Sequence, residues 1–346
     1  MDNNLFFELL QVALGNRMAL SRVPTSKEWH ALYEESERQA ITGVMLDGIE
    51  KLPKEQRPPQ ELLLQWIGIV QMIEQTVIQH QKRTKELTEL FKGEGYNTCI
   101  LKGVGMAIFY PNPLARQCGD IDVWTDGDRK EVMLWLRSKY KIDEVRWHHA
   151  DAAIFEDVQT EIHFHATWLF NPWRNRRLQH WMEKNGLPCM KSTGYGFNIP
   201  SVEFNAIYSL IHSFHHLLEC GIGFRHVVDY FYVLRQVQDA SLKVQVVQVL
   251  KRFGLEKFAG AIMYVLREVC DAPQELLLCE PNVKEGKFLL GEIMAAGNFG
   301  HQRKGEAIST NSPKRYWVMM KHYPSEVLWQ IPWKVWHWCW RGVNGY

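Results

Sequence analysis

The stretch LARQCGDIDVWTDGD, residues 114–128, is the part of the chain from which the fold is inferred. Its centre, DIDVW, alternates polar and apolar residues, which is typical of a β-strand with one buried face. Ile121 and Val123 then point into a core. Asp120 and Asp122 lie side by side on the opposite face, where two carboxylates repel each other unless a cation lies between them. Oxygen ligands suit a hard cation, so the pattern favours a Mg²⁺ site.

A later stretch, TEIHFH at 160–165, shows the same alternation and predicts a second strand. Glu161, His163 and His165 face one side of it, and its apolar residues face the other. If this strand lies beside the first, Glu161 completes a cluster of three carboxylates with the two aspartates. Such a cluster suits two-metal phosphoryl transfer, in which the third carboxylate takes the proton from the attacking hydroxyl.

Three residues upstream of the aspartates suit phosphate binding. Lys102 and Gly103 lie where the short apolar strand at 97–101 turns into a helix. The glycine lets a phosphate approach backbone N–H groups, and the lysine supplies a point charge. Arg116, four residues before Asp120, can bind a phosphate with both arms of its guanidinium. Each residue alone is ordinary for a surface or a turn, and the interpretation depends on their combination.

Composition restricts the class of protein. The 346 residues are 46% hydrophobic and 23% charged, which is an ordinary globular balance. With 40 Lys+Arg against 39 Asp+Glu, the net charge of +1 argues against a long nucleic acid as partner. The seven cysteines form no CxxC pair, and the N-terminus lacks the pattern of a signal peptide. With no apolar run long enough for a transmembrane segment, we expect a cytoplasmic protein.

The pattern along the chain predicts an α+β protein in which a small mixed sheet is flanked by helical regions. Helical periodicity dominates the first region, strands and helices mix in the second, and helical periodicity returns in the third. A polar segment at 300–314 is predicted to be a loop. The predicted divisions are an N-terminal helical subdomain at 1–95, a core at 96–198 and a C-terminal helical region at 199–346.

The segment ILKGVGMAIFYPNPLARQCGDIDVW, residues 100–124, resembles the core motif of the DNA polymerase beta-like nucleotidyltransferase superfamily. More narrowly, it is similar to the bacterial group described as uncharacterised nucleotidyltransferases. That group has an LKG…YP…R…DIDL arrangement, a later E/D-x-H strand and helical flanks. The segment LIHSFHHLLECGIGFRHVVDYF at 210–231 is similar to the helical segment that follows the core in that group.

The resemblance implies a Mg²⁺-dependent transfer of a nucleoside monophosphate from an NTP to an acceptor hydroxyl, with two metal ions. It implies that the metal ligands are Asp120, Asp122 and Glu161, with Glu161 also the general base. The acceptor is open among a small molecule, a protein and an RNA end. The residues implied to contact the triphosphate are Gly103 and Arg116. The superfamily usually has a serine after the turn glycine, where this chain has Val104. Lys102 would then supply the phosphate contact.

Two other functions fit the same residues. Because of Val104, the chain could be a binding protein that kept the nucleotidyltransferase fold and lost the chemistry. Alternatively, an HxH pair on a strand binds Zn²⁺ or Fe²⁺, and His163, His165 and Asp122 would then form the site of a metallohydrolase. Tightly bound zinc or iron in the purified protein would favour the second alternative.

Two segments beyond the core carry further candidates. His212 and His216 are spaced i,i+4 on a predicted helix, where they either share a ligand or a metal or make ordinary interhelical contacts. Arg225 and Asp229 have the same spacing, which is typical of a surface ion pair, although the arginine could contact an acceptor or a phosphate.

The tryptophan-rich C-terminus is the other such segment. Trp333, Trp336 and Trp340 share a helical stripe that is expected to pack on the helical body. A weak contact with a membrane surface is the alternative.

Overall fold

The computed structural model describes residues 3–300 and 313–346. It contains a five-stranded mixed sheet with helices before, between and after the strands. The predicted α+β class is confirmed. In the order β1-β2-β5-β4-β3, the sheet is formed by β1 (Thr98–Ile100), β2 (Ile121–Thr125), β3 (Ile142–Val145), β4 (His149–Ala152) and β5 (Thr160–His163).

Strands β2 and β5 are parallel neighbours at the centre of this sheet. Their register places Asp122 directly opposite Glu161. The remaining pairs, β1 with β2, β5 with β4 and β4 with β3, are antiparallel. The prediction that the two alternating stretches form adjacent strands is therefore confirmed.

The N-terminal region is helical, as the periodicity predicts. Thr25 caps its second helix through a capping box with Glu28. Pro59 precedes the long fourth helix, which ends at Gly93. Gly95 then turns the chain with a φ of +88°. The helices of this region are α1 (Asn3–Leu14), α2 (Ser26–Arg38), α3 (Thr42–Lys51) and α4 (Gln60–Gly93).

Three helices and a two-stranded ribbon accompany the central sheet: α5 (Val104–Ala107), α6 (Arg129–Lys139), α7 (Pro172–Asn185), β6 (Lys191–Ser192) and β7 (Asn198–Ile199). The C-terminal region begins at Ser201, whose side chain caps its first helix by accepting a hydrogen bond from the backbone N–H of Phe204. Its helices are α8 (Val202–Glu219), α9 (Phe224–Leu234), α10 (Ala240–Arg252), α11 (Glu256–Cys270), α12 (Val283–Ala296), α13 (Pro313–His322) and α14 (Pro324–Val343).

Two clusters of buried apolar residues hold these elements together. The larger cluster joins both helical regions, because α1 packs against α11, and it also includes residues of the core such as Leu101 and Trp124. The smaller cluster lies between the sheet and helices α4 and α6, and it includes Val77, Val123 and Leu136. Both helical regions are thereby fixed relative to the sheet, so that α8 and α9 can contribute side chains to one site with β2 and β5.

The tryptophan-rich helix α14 packs against the body with part of its surface. Trp333 stacks on Trp168 with ring centroids 5.4 Å apart, as expected for packing, whereas Trp338 is 76% exposed. Among the residues that the structure describes, none of the helices is both long and apolar enough to cross a membrane. The contact with a membrane surface stays a prediction. The loop predicted at 300–314 falls largely on 301–312, outside the described residues.

Candidate functional site

Three carboxylates meet where β2 and β5 run side by side. Asp122 lies on β2 opposite Glu161 on β5, and Asp120 immediately precedes β2. One carboxylate oxygen from each residue lies within 4.8 Å of the other two. The two-residue alternation of the strand turns Asp120 and Asp122 toward the same side, and the parallel register adds Glu161. The geometry brings together the three residues for which the sequence predicts metal binding.

Two basic side chains, Lys102 and His163, contact this cluster of carboxylates. The Lys102 Nζ lies 2.7 Å from Oδ1 of Asp122, and the His163 Nε2 lies 3.0 Å from the same oxygen. The His163 Nε2 also lies 3.3 Å from Oε2 of Glu161. Asp122 is 1% exposed, and its Oδ2 has no hydrogen-bond partner among the residues that the structure describes. A buried carboxylate oxygen without a partner is costly unless a cation or donor satisfies it.

The pKa shifts in the cluster show that charge is balanced by these contacts. Burial disfavours ionised Glu161, but the hydrogen bond with His163 and the charge of Lys102 outweigh it and lower the pKa of Glu161 to about 2. Burial likewise opposes protonation of His163, yet its hydrogen bonds to Asp122 and Glu161 raise its pKa to about 9. At neutral pH, a protonated imidazole and an ammonium therefore stand against the carboxylates.

The residues present fit a hard divalent cation. Three carboxylates converge, the only ligand atoms among them are oxygens, and one buried oxygen of Asp122 is unsatisfied. Lys102 and His163 supply positive charge next to Asp122, a role that a bound cation would share. Asp120, Asp122 and Glu161 are thus the residues that would hold the metal.

The turn from β1 to α5 brings Lys102 to the carboxylates. Gly103 has a φ of +56° and a ψ of −123°, a conformation that residues with a side chain rarely adopt. A Cβ at this position would also lie 3.2 Å from the backbone oxygen of Asp120. The glycine is therefore required for the close approach of the two loops, which is a structural reason for the Lys102-Gly103 pair in the motif.

Arg116 forms a buried ion pair with a residue far along the chain. Its Nε and Nη2 lie 2.7 Å from Oδ1 and Oδ2 of Asp229 on α9, and the Tyr110 hydroxyl donates to the same Oδ1 at 2.6 Å. The sequence offers Arg225 as the i,i+4 partner of Asp229, but the structure pairs Asp229 with Arg116. Arg116 lines a cavity that is bordered by Lys102 and Asp120 on one side and by helices α8 and α9 on the other. The phosphate contact expected of Arg116 stays a prediction.

Arg225 lies in the wall of the same cavity. Its guanidinium carbon lies 5.0 Å from the ring centroid of Phe299, and its Nη1 contacts the backbone oxygen of Gln117 at 3.4 Å. Burial first, and the charge of Arg116 second, lower its pKa. Within the described ranges, no salt bridge joins Arg225 to a carboxylate, so its charge is directed to a cavity that also contains Lys102 and Asp120.

The second histidine of the HxH pair lies apart from the carboxylates. Strand β5 ends at His163, so the alternation does not continue to His165. The ring of His165 stacks on Trp147 at 4.1 Å, and its Nδ1 contacts Oε1 of Gln179 at 3.0 Å. The predicted triad of His163, His165 and Asp122 is therefore not brought together.

His149 belongs to the site, although the sequence did not predict it. It lies on β4 opposite His163, and its Nδ1 is 3.5 Å from Oε2 of Glu161. His149 and Asp151 alternate in the HADA stretch, and that alternation could have revealed a polar face next to β5. Tyr208, which lines the cavity, and His226 were missed as well, because they come from helices far along the chain.

The sheet carries an Asp-x-Asp strand, a third carboxylate on the parallel neighbour and a glycine turn beside them. These are the features on which the resemblance to nucleotidyltransferases rests. Residues 25–271 match the family model described as "Uncharacterised nucleotidyltransferase". The chain belongs to that family.

No curated protein matches the chain. Among solved structures, it is similar to an antigenic nucleotidyltransferase-like protein from Paracoccidioides brasiliensis, with 10% identity over 59% of this chain and 94% of that chain. The TM-score of that match is 0.36, at which the likeness supports no statement about this chain.

Proposed function

We propose that this protein transfers a nucleoside monophosphate from an NTP to an acceptor hydroxyl in a Mg²⁺-dependent reaction. The observation that carries the proposal is the convergence of Asp120, Asp122 and Glu161, with a buried oxygen of Asp122 unsatisfied. Membership of the nucleotidyltransferase family supports the same class of reaction.

In the proposed reaction, the acceptor oxygen bonds to the α-phosphorus, the bond from that phosphorus to the bridging oxygen breaks, and pyrophosphate leaves. Mg²⁺ held by the three carboxylates would neutralise charge on the phosphates and acidify the acceptor hydroxyl. Glu161 is ionised at neutral pH and accepts the hydroxyl proton at a carboxylate oxygen. His163 orients that carboxylate through its hydrogen bond at 3.3 Å.

The cavity next to the carboxylates offers cations for the triphosphate. Lys102 and Arg225 line it together, and Gly103 lets backbone approach the phosphates. In this proposal Arg116 contributes to the cavity wall, and its pairing with Asp229 positions the loop that leads to Asp120.

The acceptor is bound on the open side of the same cavity, between the sheet and helices α8 and α9. Its class stays open among a small molecule, a protein side chain and an RNA end. The net charge of +1 disfavours a long nucleic acid. The seven cysteines are unpaired thiols, which fits the proposed cytoplasmic location.

Calorimetric titration of each NTP with Mg²⁺ tests the proposal. We expect metal-dependent binding to the wild type and none to the Asp120→Ala/Asp122→Ala variant, because that variant loses two of the three ligands. The matched control is Asp143→Ala, which removes an exposed aspartate from β3 in the same sheet. Equal binding to the double variant and to the control would contradict the proposal, provided that circular dichroism shows both variants folded.

Arg225→Ala is expected to weaken binding of the Mg²⁺–NTP complex by about tenfold or more, because a charge-assisted hydrogen bond to phosphate contributes about 1.5–3 kcal/mol. Arg225→Lys should restore part of the affinity, since it keeps the charge and loses the planar fork. The control is Arg235→Ala, which removes an exposed arginine just beyond the same helix. The same calorimetric titration measures all three variants, and an unchanged affinity in Arg225→Ala would exclude a phosphate contact by this residue.

A further inference from the structure

A second group of potential ligands, on helices α8 and α9, lies in the wall of the same cavity. His212 and His216 are one turn apart on α8, and His226 lies near the start of α9. The Nε2 atoms of His212 and His216 are 3.0 Å apart. One ring nitrogen of each of the three residues lies within 4.8 Å of the other two.

The three residues have the chemistry of a borderline metal site. Two histidines spaced i,i+4 on one helix face can bind the same zinc ion, and a third histidine from a neighbouring element completes the ligand set that leaves one position open. Burial lowers the pKa of His212, His216 and His226 well below the ordinary value, so all three imidazoles are neutral at pH 7. The neutral imidazole is the form that binds a metal.

His226 brings a buried ring nitrogen to this group. His226 is 7% exposed, the backbone of Gly223 contacts its ring, and its Nδ1 makes no well-formed hydrogen bond in the part of the chain that the structure describes. The Nδ1 of His216 contacts Sγ of Cys220 at 3.5 Å, which orients that ring with its Nε2 toward His212. A buried ring nitrogen without a well-formed hydrogen bond is explained if a ligand binds next to it.

Phe299 covers this group from the other side. Its ring centroid lies 4.7 Å from that of His216 and 5.3 Å from that of His226. The residue has a φ of +54°, a backbone conformation that is rare for a bulky side chain. Strained residues of this kind concentrate at ligand sites, where the surrounding contacts compensate for their cost.

We propose that His212, His216 and His226 form a binding site for a transition-metal dication of the Zn²⁺ class, with one coordination position open to the cavity. This site is distinct from the carboxylates, because its ligands are nitrogens on α8 and α9 rather than oxygens on β2 and β5. Imidazole selects zinc, cobalt, nickel or copper, whereas carboxylates select magnesium. The two sites are therefore expected to bind different classes of metal ion, because their ligand atoms differ.

The positive charge next to the histidines favours an anion as the fourth ligand of the metal ion. Lys102 is neutralised by Asp122 at 2.7 Å, but Arg225 is next to His226 in the chain and its charge contributes to the lowered pKa of that histidine. A bare dication beside this guanidinium is disfavoured, and an anion at the open position offsets the repulsion. The metal site is expected to take hydroxide, phosphate or the anionic group of a substrate as its fourth ligand.

Titration with Co²⁺ alone tests this proposal, with visible absorption to report nitrogen coordination and with Zn²⁺ to displace the ion. We expect one equivalent to bind to the wild type and the affinity to fall by about 100-fold or more in His212→Gln/His226→Gln. The control is His180→Gln, because the side chain of His180 is 65% exposed. His163→Gln separates this site from the other possible group, which comprises His149, Glu161 and His163.

The binding of Co²⁺ to the four proteins decides between the two possible sites. Loss of Co²⁺ binding in the double variant, with binding kept in His180→Gln and His163→Gln, supports the site. Absence of binding to the wild type, or loss only in His163→Gln, overturns it. If the double variant is unfolded by circular dichroism, the single His226→Gln variant takes its place. A rise of the wild-type melting temperature with Zn²⁺ that this variant lacks is the second readout.

Discussion

Asp120→Asn is expected to reduce nucleotidyl transfer by about three orders of magnitude, which corresponds to about 4 kcal/mol of transition-state stabilisation. The substitution keeps the size of the side chain and removes the charge that would hold a metal ion next to Asp122 and Glu161. The fold should persist, because Asp120 is partly exposed and precedes β2 rather than filling the core. The melting temperature should stay equal or rise slightly, because a like charge is removed from the cluster.

Transfer can be measured as incorporation of label into the acceptor from an NTP labelled at the α-phosphate, with a cell extract as the source of acceptor. The matched control is Asp143→Asn, an identical substitution at an exposed position of β3 in the same sheet. Loss of transfer in Asp120→Asn alone, with both variants folded, would support metal binding by the carboxylates. Turnover of Asp120→Asn at the wild-type rate would exclude Asp120 from the reaction and would remove the basis of the proposed mechanism.

The central pair of strands could be predicted because its pattern is local. Alternation at 120–124 and at 160–163 determines which side chains share a face, and that is a property of consecutive residues. The partnership of Asp122 with Glu161 then required only that the two strands be neighbours, which the structure confirms. The same reasoning extended the alternation to His165, and there it was wrong because β5 ends at His163.

Contacts between distant parts of the chain could not be predicted in this way. Arg116 and Asp229 are 113 positions apart, and the i,i+4 spacing within α9 pointed to Arg225 as the partner instead. Their contact depends on how α9 packs against the turn before β2, which no local pattern specifies. His226 was missed for the same reason, since its neighbours His212 and His216 lie on another helix. Helix α9 is almost fully buried, so the partners of its polar residues can be identified only when the packing of the helix is known.

Asp229→Ala is expected to lower the free energy of unfolding by about 3–5 kcal/mol, because it leaves the buried guanidinium of Arg116 without its counter-charge. The Arg116 side chain is 6% exposed and that of Asp229 is 12% exposed, so water compensates little. The Tyr110 hydroxyl loses its acceptor in the same variant. Chemical denaturation measures the change, and the matched control is Asp157→Ala, which removes the partner of Arg83 in an exposed pair with N···O 2.9 Å. That exposed pair should contribute less than about 1 kcal/mol.

The double variant Arg116→Met/Asp229→Leu separates the value of the pair from the cost of an isolated charge. Replacing both partners by apolar side chains removes the desolvated charge, so the double variant should be more stable than Asp229→Ala although it lacks the ion pair. If Asp229→Ala is no less stable than the exposed control, Arg116 must find solvent or another partner, and the buried pairing with Asp229 would be contradicted. If the double variant regains stability and still binds NTP with Mg²⁺ as the wild type does, Arg116 acts by positioning the loop before Asp120 rather than by contacting phosphate.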